Sequence, residues 1–327
     1  MNATRSSGWA HTRGLPIIWL FRVGVSAAML TLIFTFVPFV SVWAAARQFS
    51  PALWLAALGL FIAGHAAAAA KWRLLIGEGV SYRQAFRAHL AGLGANLALP
   101  GVAGGDVVRA GLVMNMVRDK GKLAVGSLAD RLLDTLGLLL IALTGAYFAW
   151  RPEMSAGSGW GWILLAALAV ASGAFLAMPA LDRMLKQREV TGKVTRIIGK
   201  MVSAAADLTR QPGRLLVCLG ISMMVQCLFV GINIAFAQAA HVDAPVAAWF
   251  FAWTTAKIIA IAPISLGGLG VREASMAGLL RPFGADPGQV VAIGLIWQSV
   301  LYASGAIGFL VQLRRPEPKT STTGSSQ

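Results

Sequence analysis

The sequence predicts an all-α polytopic membrane protein, with about six transmembrane helices and two broken, re-entrant helical hairpins arranged as an inverted repeat. Three observations carry that prediction: long uncharged apolar runs, two glycine- and proline-broken segments sharing one motif, and a one-sided distribution of basic residues. Of the 327 residues, 57% are hydrophobic and 36 more are glycine, well above the roughly 45–50% of an average soluble domain. Only 28 Lys plus Arg and 13 Asp plus Glu are present. So few charges argue against disorder, a coiled coil, or a soluble nucleic-acid-binding domain. The net charge of +15 reads instead as a marker of membrane sidedness and of anionic headgroups.

The uncharged runs are 23–46, 48–70, 154–181, 215–242 and 287–313, each longer than the ~20 residues that cross hydrocarbon. The first is too long for a signal-peptide core of about 7–15 residues, so it is expected to stay as an uncleaved span. A sixth span, 135–150, extends backward through Leu132 and Leu133 and so begins among Asp130, Arg131 and Asp134. Cys218 and Cys227 lie nine residues apart in one run, roughly 13 Å along a helix, and are expected to pack rather than bridge. The chain reads as a cytoplasmic tail (1–16), one membrane domain (17–313) and a polar, disordered cytoplasmic tail (314–327). Within the domain, repeat cores fall at about 81–150 and 244–313, joined by a basic cytoplasmic connector over 182–214. Val190, Val194, Ile197, Ile198, Met201 and Ala205 give that connector an apolar helical stripe suited to the headgroup layer.

Orientation follows from the bases. With the N-terminus inside, 21 of them collect on the cytoplasmic side, Lys71 and Arg73 among them, and three lie outside: Arg47, Arg151 and Arg281. Arg109, Arg131, Lys257 and Arg272 fall within apolar segments.

The two broken segments align at an offset of 163: Pro100 with Pro263, Gly104 with Gly267, Gly105 with Gly268, Val108 with Val271, and Arg109 with Arg272. Five identities in ten positions indicate duplication, and the following span extends the match, with Asp130-Arg131 near Trp297-Gln298 after a four-residue gap. One segment then dips in from the cytoplasm and the other from outside, a transporter architecture whose site lies where the broken ends meet. Proline and glycine free backbone groups there, and a helix starting after the glycines aims its positive end at an anion. Asp106 as a helix N-cap is the alternative reading of the first break.

Eight charges are embedded: Asp106, Arg109, Asp130, Arg131, Asp134, Lys257, Arg272 and Glu273. A lone charge at the bilayer centre costs about 2.5–3.5 kcal/mol on insertion scales, so these must pair or serve a polar ligand. Two readings stay open. Either the pairs lock the hairpins to the third span, or Arg109 and Arg272 clamp a lipid phosphate bidentately, with Lys257 and Arg131 as further headgroup contacts and the acids orienting them. His11, His65, His89 and His241 show no ligand spacing, and no phosphate loop or nucleophile elbow occurs, so neither metal, cofactor nor catalytic residue is expected.

Trp72-Arg73-Leu74-Leu75, Pro100 through Arg109, Asp130-Arg131-Leu132-Leu133 and Pro263-Ile264-Ser265-Leu266-Gly267-Gly268-Leu269-Gly270-Val271-Arg272-Glu273 carry a further indication. Over about residues 20–313 the chain resembles the flippase-like membrane domain of the lysylphosphatidylglycerol synthase family and its stand-alone relatives. The resemblance implies a bacterial inner-membrane protein that moves lipids or glycolipids between leaflets. The family's full-length synthases add an aminoacyl-transferase domain, and no segment outside the spans and hairpins here is long enough to form one. The expected partner is an anionic phospholipid or glycolipid, with a lipid-modifying enzyme as a further possible partner and no nucleic acid. The alternatives are a membrane-embedded lipid-modifying enzyme or glycosyltransferase, and a non-transporting scaffold for such an enzyme.

Overall fold

The computed structural model describes residues 49–98, 102–150, 193–261 and 268–313, with a few single positions outside them. The expected spans 23–46 and 154–181, both tails, and Pro100, Pro263 and Gly267 lie outside the described residues.

Every regular element among the described residues is helical. Helix α1 (Pro51–Ile76) opens with proline at its first turn and the Ser50 hydroxyl accepting the Leu53 N–H at 3.1 Å. It runs six residues past the uncharged stretch 48–70, and so carries Lys71, Trp72 and Arg73 within its last turns, until Gly77 at φ +85° ends it. Helix α2 (Tyr82–Ala98) starts with a capping box: Gln84 accepts the Ser81 N–H at 2.8 Å and the Ser81 hydroxyl accepts the Gln84 N–H at 3.3 Å. Helix α3 (Val102–Val113) returns antiparallel to it, as the contacts of His89 with Arg109 and of Asn96 with Gly105 require. Helix α4 (Lys120–Ala149) is capped by Asp119, and starts about ten residues earlier than the apolar pattern indicates.

The connector forms α5 (Lys193–Thr209), whose C-terminal half is not a free tether: Ala204 and Ala206 are buried, and the helix packs on α4 and α6. Helix α6 (Pro212–Ala239), α7 (Val246–Ile259), α8 (Val271–Leu280) with a 3-10 turn at Arg281–Phe283, and α9 (Pro287–Leu313) complete the chain. Cys218 and Cys227 are both free, as their spacing implies.

Four of these helices, α1, α4, α6 and α9, are long and apolar enough to cross a membrane. Their directions follow from their contacts. Phe49 meets Phe236, Phe61 stacks on Phe229 and Lys71 reaches Ser222, so α1 and α6 are antiparallel. Lys71 meets Asp134 while Trp72 meets Ser127, so α1 and α4 are antiparallel too. Gln289 reaches Ala240 and Phe229 meets Trp297, which sets α9 antiparallel to α6.

The packing repeats itself when the halves are exchanged. Helix α2 lies on α9 and α7 lies on α4, so each short pair grips the long helix of the other half. Small residues permit the close approach. A Cβ added at Gly308 would overlap the Leu90 carbonyl, and one at Gly145 would lie 2.5 Å from the Phe251 nitrogen and 3.0 Å from the Ala247 oxygen. Phe61, Phe229, Trp253 and Trp297 interlock at the centre, with Trp253 and Trp297 edge to face at 5.8 Å.

Gly145→Ala is expected to cost about 1–3 kcal/mol by forcing α4 from α7. Gly220→Ala, with nothing within 4 Å of the added carbon, is expected to be neutral or to stabilise by about 0.5–1 kcal/mol. Thermal unfolding in detergent distinguishes the two, and equal behaviour would exclude close packing at Gly145.

Candidate functional site: a buried network of charges

Lys71 sits at the core of the first cluster. Helix α1 carries it to the junction with α4 and α6, where it is 1% exposed. Its Nζ meets Asp130 at 2.9 Å and Asp134 at 2.5 Å, and donates to the Ser222 hydroxyl at 2.8 Å. Asp130 and Asp134, one helical turn apart on α4, therefore share one ammonium. The Ser222 hydroxyl donates in turn to Asp134.

Arg109 on α3 completes this cluster. Its Nη2 lies 2.9 Å from Asp130 and 3.3 Å from Asp106, its Nη1 donates to His89 Nδ1 at 3.1 Å, and its guanidinium covers the Trp72 ring at 4.4 Å. Asp106 also takes the half-exposed Arg131 at 2.5 Å. His89 Nε2 lies 2.9 Å from His65 Nδ1, which joins α2 to α1.

The second cluster is built on α8. Glu273, at the third position, accepts the Gly270 N–H at 2.7 Å and the Arg272 Nη2 at 2.6 Å. Arg272 also donates to Gln298 on α9 at 2.8 Å, so α8 is tied to α9 as α3 is tied to α4. The Nε of Arg109 and the Nε of Arg272, equivalent in the repeat, are both buried without a hydrogen-bond partner.

Lys257 on α7 stands between the clusters. It donates to Gln226 on α6 at 2.8 Å and lies 4.9 Å over Trp253 and 5.3 Å over Phe229. The charges of Asp134, Arg131 and Lys71 in the first cluster and of Arg272 in the second all act on it. Among the described residues no carboxylate comes into contact with it.

The structure thus brings Asp106, Arg109, Asp130, Arg131 and Asp134 into one cluster and Arg272 and Glu273 into another. Two expectations change. Gly104 and Gly105 do not break the first segment: they lie inside α3, which starts at Val102, because Gly105 packs against Gly92 and Asn96 of α2. Asp106, the fifth residue of that helix, is accordingly an ion-pair partner and not its N-cap. In the second segment the order is as expected, with Gly268 at φ +80° in the turn and α8 starting after it.

Lys71, which the sequence assigns to the cytoplasmic bases, is buried at the centre of the network. Its signal was the apolar Leu74-Leu75-Ile76 followed by Gly77, which extends the helix through it. The His65–His89 pair carried no sequence signal, because 24 residues and a turn separate the two. Among the described residues no group of three or more His, Cys, Asp or Glu is placed to hold a metal ion. A cavity of about 640 Å³ is bounded by the ends of α1 and α5 and the start of α4, where Arg73, Arg118, Lys122 and Arg214 share the lining with Glu78, Asp119 and Asp207.

Helices of membrane length, tied together by charges buried among apolar side chains, define an integral membrane protein of several spans. The model of one family, the lysylphosphatidylglycerol synthase TM region, matches residues 19–308, and the chain belongs to that family. Its family relates the protein to lipid handling. None of the curated proteins compared with the chain matches it.

Proposed function

We propose that the protein moves, or assists the movement of, an anionic lipid or lipid-linked glycan across the bacterial inner membrane, with Lys257 as the headgroup's cationic contact. The observation that carries this reading is the position of Lys257: a cation among apolar helices, between two ion-pair clusters, without a carboxylate in contact among the described residues. In the first cluster Lys71, Arg109 and Arg131 face Asp106, Asp130 and Asp134, and in the second Arg272 faces Glu273. Lys257 is the cation left over, and a phosphate brought to it would supply the missing charge.

Arg109 and Arg272 then act as frames that hold the hairpins, each with one free Nε–H for a ligand oxygen. The pairs α2–α3 and α7–α8 enter from opposite faces as re-entrant hairpins, a reading supported by the antiparallel α1 and α6 and by the exchange symmetry of the packing. The N-terminus, α5 and the C-terminus lie in the cytoplasm, and the cavity beside α5, lined by four bases and three acids, is the headgroup's cytoplasmic approach.

Reconstituted into liposomes, the protein is expected to move headgroup-labelled anionic phospholipid between leaflets. Lys257→Met should slow this about tenfold, the equivalent of one charged hydrogen bond, with unfolding temperature near that of the wild type. Arg109→Lys and Arg272→Lys should lose transport and stability together. Undiminished transport by Lys257→Met excludes this assignment. Cysteines near 156 and 285 should label from outside and one at 192 should not; the reverse result excludes the topology.

A further inference from the structure

Of the arginines in the two clusters, Arg131 stands apart by its exposure. Its side chain is 43% exposed, against 5% for Arg109 and 6% for Arg272. It lies nine residues beyond the exposed Lys122 on α4, about 14 Å along the helix, which is nearly half of the ~30 Å of hydrocarbon. The exposed side chains around it are apolar: Leu128 and Leu132 on α4, and Val107 beside Asp106 on α3. A charged group thus opens onto a surface suited to acyl chains, where it is costly unless it meets a polar partner. A guanidinium has five N–H groups, and Arg131 uses one: its Nε donates to Asp106, while neither Nη has a hydrogen-bond partner among the described residues. Arg109 differs, with both Nη groups engaged.

Asp106 can release Arg131 without being stranded. It also lies 3.3 Å from Arg109, which keeps Asp130 at 2.9 Å. A phosphate arriving at the open Nη groups gains a bidentate contact with the guanidinium, and Asp106 falls back on Arg109. The exchange also loosens the seam between the helices. Helix α3 packs closely on α2 but meets α4 sparingly, and Asp106–Arg131 is one of the ion pairs that join them.

We infer that the seam between α3 and α4 is a side entrance from the membrane for a phosphate-bearing lipid headgroup, with Arg131 as its contact and Asp106 as the partner that the phosphate displaces. For its ligand, an anionic lipid, the inference rests on the function proposed above; what it adds is the place of entry. A soluble phosphate offers the same oxygens but would have to pass the exposed leucines, so the lipid is the source that the surface favours. Arg131 is also among the charges that act on Lys257, so a headgroup admitted here comes under the field of the second cation. The other half has no such entrance. There Gln298, which the extended repeat sets against Arg131, is buried and accepts from Arg272.

The test titrates the full chain in detergent micelles with dioleoyl-phosphatidylglycerol and reads the bound fraction by native mass spectrometry. Dioleoylglycerol serves as the probe with chains alone and glycerol phosphate as the probe with headgroup alone. Each titration is repeated in the Lys257→Met background, which removes the contribution of Lys257. Phosphatidylglycerol is expected to bind at least about tenfold more tightly than either probe, the worth of one charged hydrogen bond. Arg131→Gln should raise its Kd about tenfold and Arg131→Lys by less, whereas Asp106→Asn should lower it by up to about fivefold, the worth of a partly exposed ion pair. Those opposite signs separate an exchangeable partner from a structural tie. Arg131→Lys keeps the comparison open if Arg131→Gln does not fold. An unchanged Kd in the Arg131 variants, or weakening by Asp106→Asn and Arg131→Gln alike, overturns the inference. Glycerol phosphate bound as tightly as the lipid makes this a site for free phosphate and overturns the side entrance. Absence of lipid movement in liposomes, with the binding signs intact, rejects the transport reading and leaves the entrance standing. Movement that proceeds unchanged in Arg131→Gln rejects the entrance and leaves the transport reading.

Discussion

Lys71→Met is expected to lower stability by about 3–5 kcal/mol, although the substitution is nearly isosteric and replaces a charge with an apolar side chain at a buried position of α1. The reason is what it leaves behind. Asp130 and Asp134 face the same ammonium at 2.9 and 2.5 Å, and the Ser222 hydroxyl also depends on it. Without it two carboxylates one turn apart repel each other among apolar helices, and Arg109 can compensate only Asp130. Adding Asp134→Asn removes one of the stranded charges and keeps an acceptor for Ser222, so the double variant should recover part of the loss. Thermal unfolding of the two single variants and the double gives the coupling directly. Additive losses would mean that Lys71 and Asp134 do not interact, and a loss below about 1 kcal/mol for Lys71→Met would mean that the cluster is hydrated.

Glu273→Ala is expected to be comparably severe, by about 3–5 kcal/mol, through a different geometry. The Glu273 side chain is fully buried and has two tasks: it neutralises Arg272 and accepts the backbone N–H of Gly270 at the start of α8. Truncation leaves a guanidinium that is 6% exposed with only the Gln298 carbonyl oxygen as partner, and uncaps the helix. Glu273→Gln keeps an acceptor for the cap and loses only the charge, so it should fall between Ala and wild type. If Gln and Ala are equally damaging, the charge alone matters; if Gln behaves as wild type, the cap alone does.

The site was half legible from the sequence, and the particular residues show why. Asp106, Arg109, Asp130, Arg131 and Asp134 stood out because an ionised group in an apolar stretch must be paired, and helical spacing put Asp106 with Arg109, and Asp130 with Asp134, on one face each. Arg272, Glu273 and Lys257 stood out for the same reason. Lys71 did not, because it lies at the edge of an uncharged run, where a base normally marks the end of a span. Only the helix's extension to Ile76 and the approach of α4 and α6 turn it inward. His65 and Gln226 are polar residues of a kind that apolar helices carry commonly enough that no pattern singles them out, and Gln298 showed only as the counterpart of Arg131 in the extended repeat.

By itself the sequence determined that the protein is helical and membrane-bound, that one proline-, glycine- and arginine-bearing motif occurs twice, and which ionised residues within apolar segments need partners. Those properties follow from local rules: hydropathy over a span's length, the φ and hydrogen-bonding habits of glycine and proline, and the cost of burying a charge. The tertiary structure alone decided which partners meet. That α2 grips α9 while α7 grips α4, that Lys71 bridges two aspartates on another helix, and that His89 joins Arg109 to His65 are contacts between distant parts of the chain. Each depends on which glycines let two backbones come together and on how many charges one ammonium or guanidinium can satisfy at once. Neither quantity is set by neighbours in sequence. They arise only when the helices close around one another.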